Sequence, residues 1–328
     1  MTHLPITRWL LGMLIGTACL VLAGQALADD YPSQPIRVIV PYGPGGVDLQ
    51  IRAMAPSLSE ILGQQVVVEN RAGGGATIGA AAVKNAPPNG YTLLFTGTAA
   101  LAIVPQTLAS APYSINDFAV VGNVTGTPLV IAVGAQAPYT TLEELLKYAK
   151  ANPGKVNMGS SGPGTTMHMA GEAFQLEAGV EFTHVPYKGV APAVQAVLGG
   201  YADIVFGVPG AIAPQVQAGK MRVLATMGTE RSSFFPDAPT LKEKGINLVE
   251  VTRFGLFAPR DTPAPILKKL EDAVAKIVSS KPFEETMLKG KTNALYLKPA
   301  DLEAAVAAEH AYWEKTLRLP RFDNLMNR

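Results

Sequence analysis

The order of elements legible between residues 36 and 62 restricts this chain more than anything else in it. The β-branched run Ile36-Arg37-Val38-Ile39-Val40 feeds the turn Pro41-Tyr42-Gly43-Pro44-Gly45-Gly46-Val47-Asp48. A helical pattern begins near Leu49, with Ile51, Met54, Ala55, Leu58 and Leu62 spaced by three and four before Gly63. Strand, glycine-rich turn and helix in immediate succession belong to an α/β protein. Backbone N–H groups at the front of such a helix converge on one spot suited to an anion. The turn holds no Lys or Arg, so backbone donors, the helix dipole and water must meet the charge. Each charge-assisted hydrogen bond is worth about 1.5–3 kcal/mol. A carboxylate is the expected anion; a tight βα turn without a ligand is the plain alternative.

The same order recurs. Val66-Val67-Val68 reads as a strand, and Asn70-Arg71-Ala72-Gly73-Gly74-Gly75 as a second glycine-rich turn before an alanine-rich helix. That turn is not a dinucleotide fingerprint, because Gly79 lies one residue too far from Gly75. Tyr91-Thr92-Leu93-Leu94-Phe95 is a third strand, and in a parallel sheet Thr98 would emerge beside the first loop. From Phe118 two apolar runs follow, broken by Gly122 and by Gly126-Thr127-Pro128. Then the series restarts. Thr141-Leu142-Glu143-Glu144 is a capping box, Val156-Asn157-Met158 a strand, and Gly159-Ser160-Ser161-Gly162-Pro163-Gly164-Thr165-Thr166 a loop before a helix from Met167 to about Ala178. This loop is the counterpart of the first, with hydroxyls at Ser160, Ser161, Thr165 and Thr166. Further strands are expected at Phe182-Thr183-His184-Val185, Ala202-Asp203-Ile204-Val205-Phe206 and Met221-Arg222-Val223-Leu224-Ala225, and helices near Pro263, Pro282 and Pro299.

Residues 1–28 read as a secretory leader: Arg8, an apolar stretch from Trp9 to Leu22, and Ala26-Leu27-Ala28 as a cleavage site. The expected product is a periplasmic protein. The one cysteine, Cys19, falls inside the leader, leaving no disulfide and no thiolate metal site. The chain has 27 Lys plus Arg against 26 Asp plus Glu, a balance that suits neither nucleic acid nor an anionic membrane. No H-x-x-x-H pair or acidic cluster suggests a metal, and no cofactor is expected.

Residues 32–48, Val67-Val68-Glu69-Asn70-Arg71, Pro153-Gly154-Lys155, Ser161-Gly162-Pro163-Gly164-Thr165, His168, His184-Val185-Pro186-Tyr187-Lys188-Gly189 and Pro236-Asp237-Ala238-Pro239-Thr240 resemble the Bug, or TctC-like, family. These are periplasmic solute-binding proteins of tripartite tricarboxylate transporters. The resemblance implies a two-domain, type II-like periplasmic binding protein with hinge-linked α/β lobes and a cleft between them. The lobes would divide as 29–125, 126–250 and 251–328, the last returning to the first lobe. It further implies a monomer that binds a mono-, di- or tricarboxylate and meets a large and a small membrane subunit of the transporter. Ligand contacts carried over are Tyr42, Gly45, Gly46 and Asp48 on one side, Ser160, Ser161, Thr165 and Thr166 on the other, with Tyr187, Lys188 and Asp203; Thr98 joins them from the strand pattern. The first loop is one residue short of the family pattern between Gly46 and Asp48, which on a helix amounts to about 100° and 1.5 Å. Two alternatives stay open: a secreted serine hydrolase using Ser161, without the G-x-S-x-G elbow, and a protein that presents its ligand to a membrane sensor.

Overall fold

The computed structural model describes residues 31–108, 110–319 and 322. The leader expected at 1–28 lies outside them. The first stretch runs β1 (Ile36–Val40), α1 (Gly46–Leu62), β2 (Val66–Asn70), α2 (Thr77–Lys84), β3 (Thr92–Gly97), α3 (Ala99–Ala102), α4 (Val104–Thr107) and β4 (Phe118–Pro128). The middle runs β5 (Val130–Gly134), α5 (Leu142–Ala151), β6 (Val156–Ser160), α6 (Thr166–Ala178), β7 (Phe182–Pro186), α7 (Val190–Leu198), β8 (Ile204–Gly207), α8 (Pro209–Gln217) and β9 (Met221–Thr226). The last runs β10 (Val251–Pro259), α9 (Ala264–Val278), α10 (Lys281–Lys289) and α11 (Pro299–Thr316).

Two five-stranded sheets result, in the orders β2-β1-β3-β10-β4 and β7-β6-β8-β5-β9. In each, three strands are parallel and the next joins antiparallel. The sheets are therefore built alike, and β1 of one corresponds to β6 of the other. The chain passes between them through Leu129 and again between β9 and β10. Those passages are tied together: Leu129 donates to the Glu250 carbonyl (3.1 Å), Met227 to that of Leu129 (2.8 Å) and Glu250 to that of Met227 (2.8 Å). This is the expected pair of hinge-linked α/β lobes.

One face of the first sheet buries Ile36, Val38 and Val40 under Ile51, Met54 and Leu58 of α1 and Leu270 and Val274 of α9. The other packs Ile39, Leu94 and Phe257 against Leu302, Val306 and Trp313 of α11, in a cluster that runs on through Leu129, Met227 and Leu248 to Met158, Phe174 and Phe206 of the second lobe. The hinge is thus embedded in core rather than strung between two cores.

Local signals decide most boundaries. Gly63 adopts the left-handed conformation (φ 72°) that ends α1, and Thr141 and Glu144 cap α5 reciprocally. Helix α1 starts at Gly46, three residues before the expected start near Leu49, because Gly46, Val47 and Asp48 extend the helix without extending the stripe. The apolar runs expected between Phe118 and Val133 form two strands, β5 and, before it, β4, which runs for 11 residues up to Pro128. Gly122 and Gly126 do not break it; they admit a neighbour. A Cβ at Gly122 would lie 3.4 Å from Tyr296 and Val274, and one at Gly126 would overlap Leu295. No helix among the described residues is long and apolar enough to cross a membrane.

Candidate functional site

The first loop leaves the carboxyl end of β1. Its glycines stand open: a Cβ on Gly43, Gly45 or Gly46 would meet nothing within 4 Å. What shapes the loop lies at its flanks. The Tyr42 hydroxyl contacts Thr96 Oγ1 at 3.0 Å and accepts from the Gly97 N–H at 3.4 Å, while Phe254 meets its ring edge-on. Burial pushes the Tyr42 phenol up, against the opposing pull of those two partners, so the ring presents a neutral hydroxyl. Asn70 Nδ2 donates to the Tyr42 carbonyl at 3.0 Å.

Asp48 is 3% exposed and turned along its own helix. Arg52 Nε donates to both of its oxygens at 2.9 Å, and Arg52 in turn reaches Asn70 Oδ1 at 2.8 Å. Burial pushes the Asp48 carboxyl up, but Arg52, Asn70 and the Gly45 N–H outweigh it and hold it below the ordinary range. Asp48 therefore fastens the loop to α1 and β2. With the helix starting at Gly46, Asp48 and Arg52 stand four residues apart on it and pair.

The second loop leaves the carboxyl end of β6 and is bonded to itself. Ser160, 0% exposed, accepts from the Gly162 N–H at 3.1 Å and meets His184 Nε2 at 2.6 Å. Ser161 Oγ donates to Thr165 Oγ1 at 2.9 Å, which donates to the Gly162 carbonyl at 2.7 Å. Tyr187 N–H closes onto the Ser160 carbonyl at 3.0 Å, and its ring lies beside Gly159. Thr166 opens α6, and Lys188 is exposed just beyond. This loop also faces the other lobe, since a Cβ on Gly164 would sit 3.2 Å from Thr107 Oγ1 at the end of α4.

Two expected contacts are placed otherwise. Asp203 precedes β8, and because β8 runs parallel to β6 it lies at the opposite edge of the sheet from the loop. There its carboxylate accepts from the Asn157 N–H at 2.7 Å, near the beginning of β6; about 10 Å of strand separates that point from Ser160. A residue in front of a parallel strand belongs to its amino end, and the expectation that Asp203 faces the ligand is corrected accordingly. Thr98 is at the right edge, but it is 3% exposed and its hydroxyl serves Glu309 of α11.

The sequence singles out His168 and His184 without giving them the role of holding the second loop, and it gives no sign of a partly buried carboxyl at the hinge. Burial pushes the Glu250 carboxyl up to about 8, aided by Glu309 and opposed by Arg253, whose Nε has no hydrogen-bond partner. The hinge cluster joins residues 59 positions apart and had no local signal. His168 had one, since it follows Gly164 by one helical turn. Among the described residues, no three His, Cys, Asp or Glu side chains gather where a metal could be held.

Two like-built α/β lobes, hinged twice and carrying a loop at matching strand ends, define a periplasmic solute-binding fold. Residues 50–318 match the family described as tripartite tricarboxylate transporter family receptor, and the chain belongs to that family. It is 39% identical to the "UPF0065 protein in gbd 5'region" of Cupriavidus necator, over 93% of this chain and 94% of that one. It is 33% identical to the protein BugT of Bordetella pertussis, over 94% and 95%. Among solved structures, Rpa4515 of R. palustris with adipate has a TM-score of 0.79 at 30% identity, over 88% of this chain and 98% of that one. MatC (Rpa3494) from Rhodopseudomonas palustris with bound malate has a TM-score of 0.77 at 26% identity, over 88% and 100%. The resemblance seen in the sequence is therefore to the right family, whose members are periplasmic solute-binding receptors.

Proposed function

We propose that this receptor captures a small organic acid by closing its two lobes on it and delivers the acid to the large and small membrane subunits of a tripartite tricarboxylate transporter. The single observation that carries the reading is the open backbone of Gly43, Gly45 and Gly46 at the front of α1, together with a loop of hydroxyls at the matching strand end of the second sheet that abuts the first lobe at Thr107. Free N–H groups at a helix start stabilise a carboxylate without a cationic side chain. On this reading Gly45 and Gly46 donate to the acid and Tyr42 lies along it. Ser161, Thr165, Thr166 and Tyr187 close from the second lobe, with Lys188 at the rim. Micromolar binding requires about 8.2 kcal/mol net, within reach of a few charge-assisted bonds once the cost of closure is subtracted. The adipate and malate in two similar structures agree in charge and size.

A hydrolase has less to stand on. The serine beside a histidine is Ser160, which is sealed in the interior, whereas Ser161 gives its proton to Thr165. Titration calorimetry against mono-, di- and tricarboxylates tests the proposal. At least one acid should bind in the micromolar range, and Gly46→Val should weaken it by about a hundredfold, the worth of two hydrogen bonds. No binding by any acid, or unchanged affinity in Gly46→Val, would overturn it.

A further inference from the structure

Beneath the second loop two imidazoles lie face to face. His168 of α6 and His184 of β7 stack with ring centroids 3.7 Å apart and planes 13° from parallel. Each ring also holds a piece of the loop. The Gly164 N–H donates to His168 Nδ1 at 3.1 Å, and Ser160 Oγ meets His184 Nε2 at 2.6 Å while accepting from the Gly162 N–H.

One of these contacts fixes which atom donates. A backbone N–H can only donate, so Nδ1 of His168 offers a lone pair and the ring carries its proton on Nε2, 3.7 Å from Glu172 Oε1. Ser160 Oγ, which accepts from the Gly162 N–H and lies 3.4 Å from the Gly162 carbonyl, pairs with His184 Nε2 as donor or as acceptor according to the tautomer of that ring. Two cations 3.7 Å apart would repel strongly, so a charge on both rings at once is disfavoured. Titratable groups face the stack from two elements: Glu172, on the helix of His168 and bonded to Gln175 Nε2 at 3.1 Å, and each histidine for the other. Strand β6 and the loop face it with the Ser160 hydroxyl and the Gly164 amide. A second proton on His168 would be welcomed by Glu172 and would cost the Gly164 bond.

We propose that His168 and His184 are positioning residues of the solute site: as neutral rings they hold Gly162 and Gly164 so that Ser161, Thr165 and Thr166 are presented, and protonation releases the loop, so that capture weakens as the pH falls. The last step rests on the proposed function; the release of the loop does not, and it can be read without any solute.

The test follows amide hydrogen exchange at Gly164 in the solute-free protein by NMR, corrected for intrinsic exchange, between about pH 8 and pH 5, where histidine is the side chain that changes charge. Protection should fall about tenfold over that interval, in step with the ring signals of His168 and His184. His168→Asn places an amide oxygen where Nδ1 was; it should keep the protection and lose the pH dependence, whereas His168→Ala should lose protection throughout. In a second arm, the affinity for adipate should weaken about tenfold from high to low pH in the wild type and stay level in His168→Asn. Flat Gly164 protection in the wild type, or a His168→Asn variant that still loses it with acid, would overturn the proposal. Should the variants fail to fold, the wild-type ring signals set against Gly164 exchange decide alone. If adipate binds at no pH, the choice of acid is at fault, and the exchange result still stands or falls by itself.

Discussion

At the end of β1 the loop stands open to solvent, and at the corresponding end of β6 it is folded in on itself. The first takes its shape from charges at its flank, with Arg52 gripping Asp48 and Asn70 across to β2. The second takes its shape from neutral groups at its centre: Ser160, Thr165 and two histidines. Arg52 is half exposed, so water helps to solvate that pair, whereas Ser160 is fully buried and is met by hydrogen-bonding groups of the protein. Ions are used where solvent reaches and neutral hydrogen bonds where it does not, because a buried charge costs far more than a buried hydroxyl with partners. The two loops should therefore fail to different insults.

Glycine replacement should separate them most. Gly164 holds φ at 70° with Thr107 3.2 Å from its missing Cβ, so Gly164→Val should cost about 2–3 kcal/mol of stability through backbone strain and crowding across the lobes. Gly46 is helical and faces space, so Gly46→Val should stay within about 0.5 kcal/mol. Denaturant unfolding compares the two, and equal losses would break the contrast. Next in size is serine. Ser160→Ala removes the acceptor of the buried Gly162 amide and the hydroxyl contact of His184 and should cost about 2 kcal/mol, while Ser161→Ala, half-buried and bonded to Thr165, should cost less than about 1 kcal/mol. Matching melting temperatures for the two variants would show that the second loop does not depend on its buried hydroxyl.

The openness of the first loop was legible because glycine spacing and the absence of Lys and Arg are local facts. So were the strand–loop–helix order, the α5 capping box and the correspondence of the two loops. Direction was harder to read. Asp203 looks like a strand-end acid until the register of β8 on β6 shows which end it occupies, and register is a property of the sheet rather than of the segment. The burial of Asp48 was hidden for a related reason, since its partner four residues on is visible in the sequence but its solvent exposure is not. Gly122 and Gly126 read as breaks because the segment that crowds them, residues 293–297, is more than 160 positions away.

Acid and base sharpen the same comparison from the hinge outward. Burial, with help from Glu309, raises Glu250 from 4.5 to about 8, so its neutral form is the one that the fold favours. Its contribution to stability is complete below the unfolded value near 4.5 and is lost as the pH rises through about 8. Glu250→Gln should accordingly flatten this loss and leave the variant about 1–2 kcal/mol more stable than the wild type above pH 8, as read by unfolding at several pH values. A variant that is less stable than the wild type at high pH would mean that the carboxylate is paired rather than stranded.

The smallest effect belongs to Asp48, and it has the opposite sign with pH. Its folded value lies below 3.8, so its contribution is present above that value and disappears as the pH falls through the depressed one. Asp48→Asn should cost about 1 kcal/mol near neutrality, a modest figure because Arg52 is half in water, and should match the wild type once the pH has fallen through that depressed value. The first loop would then loosen only in strong acid, whereas the second, resting on imidazoles, loosens in the interval from about pH 8 to pH 5. Gly46 and Gly164 amide exchange recorded on one sample through both ranges would place the two transitions side by side. A single shared midpoint would mean that the lobes respond as one body, and the division between a loop held by charge and a loop held by neutral bonds would lose its physical basis.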